Sequence, residues 1–181
     1  ACTLIRLCMK SFILTLLVFS ALPVWGQIQL DNQFDDWSAI PHSTSTDGGP
    51  FVAAAVTSNA DWLYLHIEVE QEVALDENAL PNDYRILLDL DDDPVTGVDY
   101  ASQGLGVDLL INLATRQAIR YTNGSGIESF NEIGMRAAPT YSGNEFELAF
   151  DRGLTQVTGD GVRVKWYDNA DQVGFPEAGL Q

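Results

Sequence analysis

Short segments in which apolar and polar residues alternate constrain the fold of this chain more than any other feature. The clearest of them runs from residue 62 to 70 and reads WLYLHIEVE. Its aliphatic residues, Leu63, Leu65, Ile67 and Val69, alternate with Tyr64, His66, Glu68 and Glu70. A period of two residues is typical of a strand that buries one face. The segment therefore predicts a β-strand whose aliphatic side chains point into a core.

Three further segments repeat this pattern, at 107–114, 145–150 and 162–168. Their predicted core faces are Val107, Leu109, Ile111 and Leu113; Phe146, Leu148 and Phe150; and Val162, Val164 and Trp166. Weaker strands are predicted at 28–30, 51–58, 85–91 and 116–121, and turns at 46–50, 58–61, 122–126, 142–144 and 159–161. Helical turns fit only 72–80 and 151–157. Many short strands with few helices predict an all-β fold, an antiparallel β-sandwich in a single domain.

The beginning of the chain has the pattern of a secretory signal peptide. Met9 is the first methionine, Lys10 supplies the positive charge, and 12–22 is a short apolar run before a cleavage position ahead of Gln27. We interpret residues 1–26 as upstream residues plus a signal peptide that starts at Met9. The expected location is outside the cytoplasm, either extracellular, on the cell surface or periplasmic.

Residues 27–181 then form the expected mature module. The sequence leaves open whether this module is truncated at its C-terminus and continues into a longer protein. Removing Arg6 and Lys10 from the nine basic residues leaves seven against 26 acidic residues, so the net charge changes from −17 to −19. This charge argues against nucleic acid and anionic membranes as partners. Both cysteines, Cys2 and Cys8, precede residue 27, so disulfides are not expected to stabilise the module.

A dense acidic turn follows the predicted strand at 85–91. The segment ILLDLDDDPVTGVDY, residues 86–100, places Asp89, Asp91 and Asp93 at alternate positions, and Asp99 follows a Pro-x-x-Gly turn. Alternating carboxylates can supply oxygen ligands to Ca²⁺, which prefers six to eight of them. Ca²⁺ is favoured over Zn²⁺ because the turn contains neither His nor Cys. We therefore predict a structural calcium site with Asp89, Asp91, Asp93 and Asp99 as ligands.

Two observations keep another interpretation of the acidic turn open. The segment departs from an EF-hand, because Pro94 replaces the sixth-position glycine and Tyr100 the twelfth-position glutamate. A solvated acidic hairpin that opposes edge-to-edge aggregation would have a similar composition. Asp108 follows on the next predicted strand, where it could help to close a metal site or simply face solvent.

Four segments in this order resemble a known family. They are IQLDNQFDDWSAIP (28–41), SNADWLYLHIEVEQEV (58–73), ILLDLDDDPVTGVDYASQGLGVDLLIN (86–112) and DNADQVGFPEAG (168–179). The chain is similar to DOMON-like β-sandwich domains of exported bacterial proteins that are related to family-nine carbohydrate-binding modules. The resemblance implies a β-sandwich with structural calcium, a sugar-binding face in characterised relatives, and in some proteins a separate downstream enzyme domain. The pair of exposed tryptophans that clamps sugar in those relatives has no clear match here.

The candidate ligand-binding residues are Trp62, Tyr64 and His66. Trp62 follows a turn, and the alternation places the other two on its side of the strand, where aromatic faces could stack on a sugar ring. Trp37 and Trp166 fit core positions better. With His42 and His66 as the only histidines and no nucleophile motif, the sequence favours a non-enzyme.

The sequence thus predicts a secreted, non-catalytic module that binds a polysaccharide or other glycan and contains structural Ca²⁺. Two alternatives remain at this point. One is a scaffold without a small ligand, and the other is the N-terminal part of a larger secreted hydrolase.

Overall fold

The computed structural model describes residues 27–45, 49–74, 83–122, 124, 126–138, 142–158, 161–170, 173–174 and 178–179. The expected signal peptide at 1–26 lies outside these residues. Two 3₁₀ helices span Phe34–Ala39 and Tyr100–Ser102, and α1 spans Arg152–Thr155. The strands are β1 (His42–Thr44), β2 (Phe51–Ser58), β3 (Trp62–Ala74), β4 (Tyr84–Asp89), β5 (Val98–Asp99), β6 (Gly106–Val107), β7 (Leu109–Asn112), β8 (Gln117–Arg120), β9 (Gly126–Ser129), β10 (Arg136–Ala137), β11 (Ser142–Asp151), β12 (Arg163–Asp168), β13 (Val173–Gly174) and β14 (Ala178–Gly179).

These strands form two main antiparallel sheets. The first sheet has the order β1-β2-β3-β11-β10. The second has the order β13-β12-β4-β7-β8-β9, with β14 also pairing with β12. Strands β5 and β6 form a separate pair. The two sheets confirm the predicted antiparallel β-sandwich.

The main core fills the space between the sheets, where the predicted apolar faces meet. The first sheet contributes Leu63, Leu65 and Ile67 from β3 and Phe146, Leu148 and Phe150 from β11. The second sheet contributes Ile86 and Leu88, Leu109 and Ile111, and Val162, Val164 and Trp166. Burial of apolar side chains at about 25 cal/mol per Å² is the main favourable contribution to such a fold.

Irregular segments also cover the outer face of each sheet. Residues 28–40, here called the N-terminal cover, lie on the first sheet, where Ile28 and Trp37 pack with Tyr64 and Ala149. On the second sheet, Leu105 and Val107 pack with Leu87, Leu110 and Tyr167. Because both faces are buried, strands such as β4 and β7 have nearly continuous apolar sequences.

The structure differs from the predicted elements in four places. No regular strand forms at 28–30, where one is predicted. A helical turn is predicted at 72–80, but β3 extends through 72–74, and the remaining residues, 75–80, lie outside the described residues. The turn predicted at 142–144 lies within β11, where the pairing with β3 shifts register between Gly143 and Glu145. Val107 packs on the outer face, whereas Leu109 packs in the main core. The reason is that Asp108 interrupts the strand between β6 and β7, which breaks the alternation.

Candidate metal centre and binding clefts

Two neighbouring chain segments bring Asp89 and Asp108 together. Leu88 of β4 pairs with Leu109 of β7 in antiparallel orientation. Asp89 directly follows Leu88 and Asp108 directly precedes Leu109, so both aspartates lie at the same end of this strand pair. The Asp108 amide donates to the Leu88 carbonyl at 2.9 Å, and the Leu90 amide donates to Asp108 Oδ2 at 2.9 Å. The Asp108 side chain is therefore fixed where β4 ends and the acidic turn begins.

Three carboxylates converge at this point and form the carboxylate cluster, Asp89, Asp91 and Asp108. One oxygen from each lies within 4.8 Å of the others. Asp89 is fully buried and Asp108 is 3% exposed, whereas Asp91 is exposed. Asp108 Oδ1 is also buried and has no hydrogen-bond partner among the described residues. A buried carboxylate oxygen without a donor costs free energy unless a ligand compensates for it.

Arg163 offsets part of the negative charge. Its Nη2 lies 2.5 Å from Asp89 Oδ2, and its Nε lies 3.0 Å from Asp92 Oδ1. Burial raises the pKa of the Asp89 carboxyl, the Arg163 guanidinium opposes that rise, and the charges of Asp108 and Asp91 add to it. The carboxylate cluster and Asp92 together contribute more negative charge than Arg163 balances.

Asp93 and Asp99, the other two predicted ligands, lie outside the carboxylate cluster. The Asp93 amide donates to Asp89 Oδ1 and Asp91 Oδ1, and its own carboxylate accepts from the Val95 amide at 2.9 Å. Asp99 Oδ1 accepts from the Gly104 amide at 2.8 Å. These two side chains shape the turn, because each carboxylate accepts from a nearby backbone amide.

A small polar cleft of about 150 Å³ opens beside the carboxylate cluster. Its walls include Asp91, Asp108 and Arg120, together with the neutral polar residues Thr96, Thr122, Gln156 and Thr158. Arg120 is 2% exposed and pairs with Glu128, with Nε 2.7 Å from Oε1. A polar cleft of this size is large enough to hold several water molecules. An ion in the carboxylate cluster could thus complete its coordination with water.

The aromatic residues predicted to bind a ligand do share one face of β3, but the N-terminal cover buries most of that face. Tyr64 and His66 are 6% and 3% exposed, and Trp62 is half-buried. The guanidinium carbon of Arg136 lies 4.3 Å from the centre of the Trp62 ring. These three residues therefore do not form an open aromatic platform.

Glu147 on β11 holds the N-terminal cover in place. Its Oε1 accepts from Trp37 Nε1 at 3.0 Å, and its Oε2 accepts from the amides of Asp31 and Asn32 at 3.2 and 3.1 Å. Burial raises the pKa of the Glu147 carboxyl, and these donors oppose the rise. Sequence reasoning missed this residue because its alternate position in EFELAF predicts a side chain in solvent.

His66 lies in an aromatic box beneath the same cover. Its ring stacks on Trp37 at 5.1 Å between centroids and contacts Phe34 and His42 at 5.4 and 5.3 Å. Nε2 donates to Glu145 Oε1 at 2.8 Å, and the buried Nδ1 has no partner among the described residues. Burial, with a smaller contribution from His42, lowers the pKa of His66 to about 4. Burial also raises the pKa of Glu145.

A second cleft, here called the Tyr64 cleft, lies at one edge of the N-terminal cover and has a volume of about 530 Å³. Ile28 and Ile40 of the cover line it together with Tyr64 and residues 57–61, which comprise the end of β2 and the turn that follows it. It therefore combines apolar side chains with hydroxyl, amide and carboxylate groups. Of the three aromatic residues predicted to bind a ligand, Tyr64 lines this cleft.

Asp108 belongs to the carboxylate cluster but is not among the ligands predicted from the sequence. The available signal was its position after GLG on the strand next to the acidic turn. Without the register between β4 and β7, that position favoured an outward-facing carboxylate over a metal ligand. Asn59 and Asp61 carried no signal beyond their turn chemistry.

No protein-family model matches the chain, and no curated protein matches it. Among solved structures, a family 9 carbohydrate-binding module from Caldicellulosiruptor kristjanssonii in complex with cellotriose is similar at 15% sequence identity, with a TM-score of 0.45. The match covers 86% of this chain and 90% of that one. Within the described part of this chain, no helix has the length and apolarity needed to cross a membrane.

Proposed function

We propose that this chain is an exported, non-catalytic β-sandwich module that binds a glycan and contains a calcium ion at Asp89, Asp91 and Asp108. The observation that carries the calcium assignment is the buried Oδ1 of Asp108. It lacks a donor among the described residues and belongs to a carboxylate whose neighbours are two further carboxylates. A cation at this point would compensate that oxygen and reduce the repulsion within the carboxylate cluster.

The donor set favours Ca²⁺ among the common protein-bound cations. All three side chains offer hard carboxylate oxygens, and the cluster includes no His or Cys. Ca²⁺ prefers six to eight oxygens, and the adjoining polar cleft leaves room for water to supply some of them. When bound, the ion would supply positive charge at the junction of β4 with β7 and so stabilise the pairing of these strands.

The glycan part of the proposal is supported by the family resemblance in the sequence and by the mixed apolar and polar lining of the Tyr64 cleft. A non-catalytic role is supported by the way buried titratable groups are used. His66 pairs with Glu145, and Glu147 accepts three hydrogen bonds from the N-terminal cover. In a longer parent protein, the module would act as an accessory to an enzyme domain.

Thermal unfolding in EDTA and in millimolar CaCl₂ tests the calcium site. A ligand at 100 times its Kd stabilises the folded state by about 2.7 kcal/mol, which raises the Tm of a domain of this size by roughly 5–10 °C. We expect that shift in the wild-type protein and its loss in Asp108→Asn. Asp99→Asn is the matched control, because this predicted ligand lies outside the cluster, and it should keep the shift.

A wild-type Tm that does not respond to Ca²⁺ would refute the calcium site, as would an Asp108→Asn variant that keeps the full response. Glycan binding is tested separately on a glycan array and by pull-down with insoluble polysaccharides. A calcium-dependent Tm without binding to any glycan would instead favour the ligand-free scaffold.

A further inference from the structure

The Tyr64 cleft has the size and composition of a small-ligand site. Its volume of about 530 Å³ falls within the range of about 300–1,000 Å³ that such sites occupy. Ile28 and Ile40 give it an apolar side, and Ser58, Asn59 and Asp61 give it a polar side. Two kinds of surface facing one cavity suit a ligand that itself has apolar and hydroxylated parts.

Tyr64 offers an unused hydrogen-bond donor to this cleft. The residue is 6% exposed, and its phenol oxygen accepts from Asn59 Nδ2 at 3.1 Å. The phenol hydrogen has no acceptor among the described residues. A ligand oxygen in the cleft would accept this hydrogen and so complete the hydrogen bonding of Tyr64.

The polar side of the cleft is held in a fixed conformation before any ligand binds. Asn59 Oδ1 accepts from the amides of Asp61 and Trp62 at 2.9 and 2.8 Å. Arg152 Nη1 donates to Ser58 Oγ and to the Asn59 carbonyl at 3.2 and 3.1 Å. The exposed Asp61 carboxylate is thus placed at the rim as an acceptor. A preorganised turn lowers the entropy cost of binding.

We propose that the Tyr64 cleft is the glycan-binding site and that it takes a neutral sugar; this inference rests on the proposed glycan-binding function. The Tyr64 hydroxyl donates to one sugar oxygen and Asp61 accepts from a sugar hydroxyl, while Ile28 and Ile40 contact the apolar C–H face of the ring. The net charge of −17 and the carboxylate in the lining disfavour an anionic sugar. The site lies on the first sheet, whereas the carboxylate cluster lies on the second, so sugar binding does not require calcium.

Isothermal titration with soluble neutral oligosaccharides tests this assignment, with cellotriose, xylotriose, mannotriose and laminaritriose as probes. Tyr64→Phe removes the hydroxyl but keeps the ring, and we expect the Kd to rise about 3- to 10-fold, the effect of one neutral hydrogen bond. Asp61→Asn should weaken binding by a similar factor. Tyr121→Phe is the matched control, because Tyr121 packs on the outer face of the second sheet, and its Kd should stay unchanged.

Each variant is first compared with the wild type by thermal unfolding, so that a folding defect is not mistaken for lost affinity. Titrations are repeated in EDTA below the unfolding transition, where we expect binding to persist. Sugar binding with an unchanged Kd in both cleft variants overturns the location and leaves the proposed function intact. The proposed location is also overturned if EDTA abolishes sugar binding while Tyr64→Phe leaves it unchanged. Failure of every glycan to bind in the array, the pull-down and this titration removes both proposals.

Discussion

Acidification from pH 7 to 4.5 should destabilise this protein through His66. The ring is 3% exposed, stacks on Trp37, and donates to Glu145 through Nε2. Its folded-state pKa is about 4, compared with 6.5 in the unfolded chain. The unfolded state therefore takes up a proton as the pH falls below 6.5, while the folded state remains largely neutral until about pH 4. His66 thus contributes stability above pH 6.5 that is lost as the pH falls towards its folded-state pKa.

The magnitude follows from linkage. One pKa unit corresponds to about 1.4 kcal/mol, and between pH 7 and 4.5 most of the difference between the two pKa values is realised. His66 should therefore lower the free energy of unfolding by about 2.5 kcal/mol over that interval. The raised pKa values of Asp89, Glu145 and Glu147 act in the opposite direction, because protonating them favours the folded state.

Comparison with His66→Gln isolates the contribution of the histidine. Glutamine can still donate to Glu145 but does not titrate, and both proteins keep the three carboxyls. Urea unfolding followed by tryptophan fluorescence should show that the stability difference, wild type minus variant, falls by about 2.5 kcal/mol from pH 7 to 4.5. His42→Gln is the control, since His42 is exposed, and it should retain most of the acid sensitivity. A constant difference between wild type and His66→Gln across this range would refute the reasoning.

Three further predictions concern the N-terminal cover and the acidic turn. Gly106→Ala should destabilise the protein by at least 2 kcal/mol and weaken calcium binding, as a Cβ there would lie 2.5 Å from the Thr96 carbonyl oxygen. Gly126→Ala, with its nearest atom at 3.9 Å, should change neither quantity in urea unfolding or calcium titration. Glu147→Gln should lower the free energy of unfolding, measured in urea, by about 1–3 kcal/mol, because its NH₂ group would face either the Trp37 indole N–H or the backbone amides, all of which are donors. Unchanged stability would contradict the role of Glu147 in holding the cover. In EDTA, the free energy of unfolding of Asp108→Asn should equal that of the wild type or exceed it by up to about 1 kcal/mol, because the substitution removes a buried like charge. A lower free energy of unfolding in EDTA would argue against repulsion within the carboxylate cluster.

Much of the sandwich could be predicted because its strands follow a local rule. The alternation in 62–70 and 145–150 places side chains on opposite faces, and these faces pack in the main core. Prediction failed where the backbone departs from that period. Asp108 interrupts the strand after Val107, and 142–144 continues β11 despite its turn-forming residues. Such departures depend on pairing with distant strands, which local sequence does not encode.

The candidate sites were predicted only in part. The acidic turn identified Asp89 and Asp91, but their neighbour Asp108 depends on the register between β4 and β7. Similarly, alternation placed Tyr64 and His66 on one face of β3. It could not predict that residues 28–40 would cover this face, because that contact joins segments far apart in the chain.

The sequence alone determined the period-two strands, the antiparallel all-β class, the acidic character and the position of the carboxylate-rich turn, because each depends on residues close together in the chain. Only the tertiary structure decided which carboxylates converge, which face of β3 is buried, and where an open cleft remains. The physical reason is that burial and charge proximity arise when strand register and the N-terminal cover bring distant residues within a few ångströms of one another.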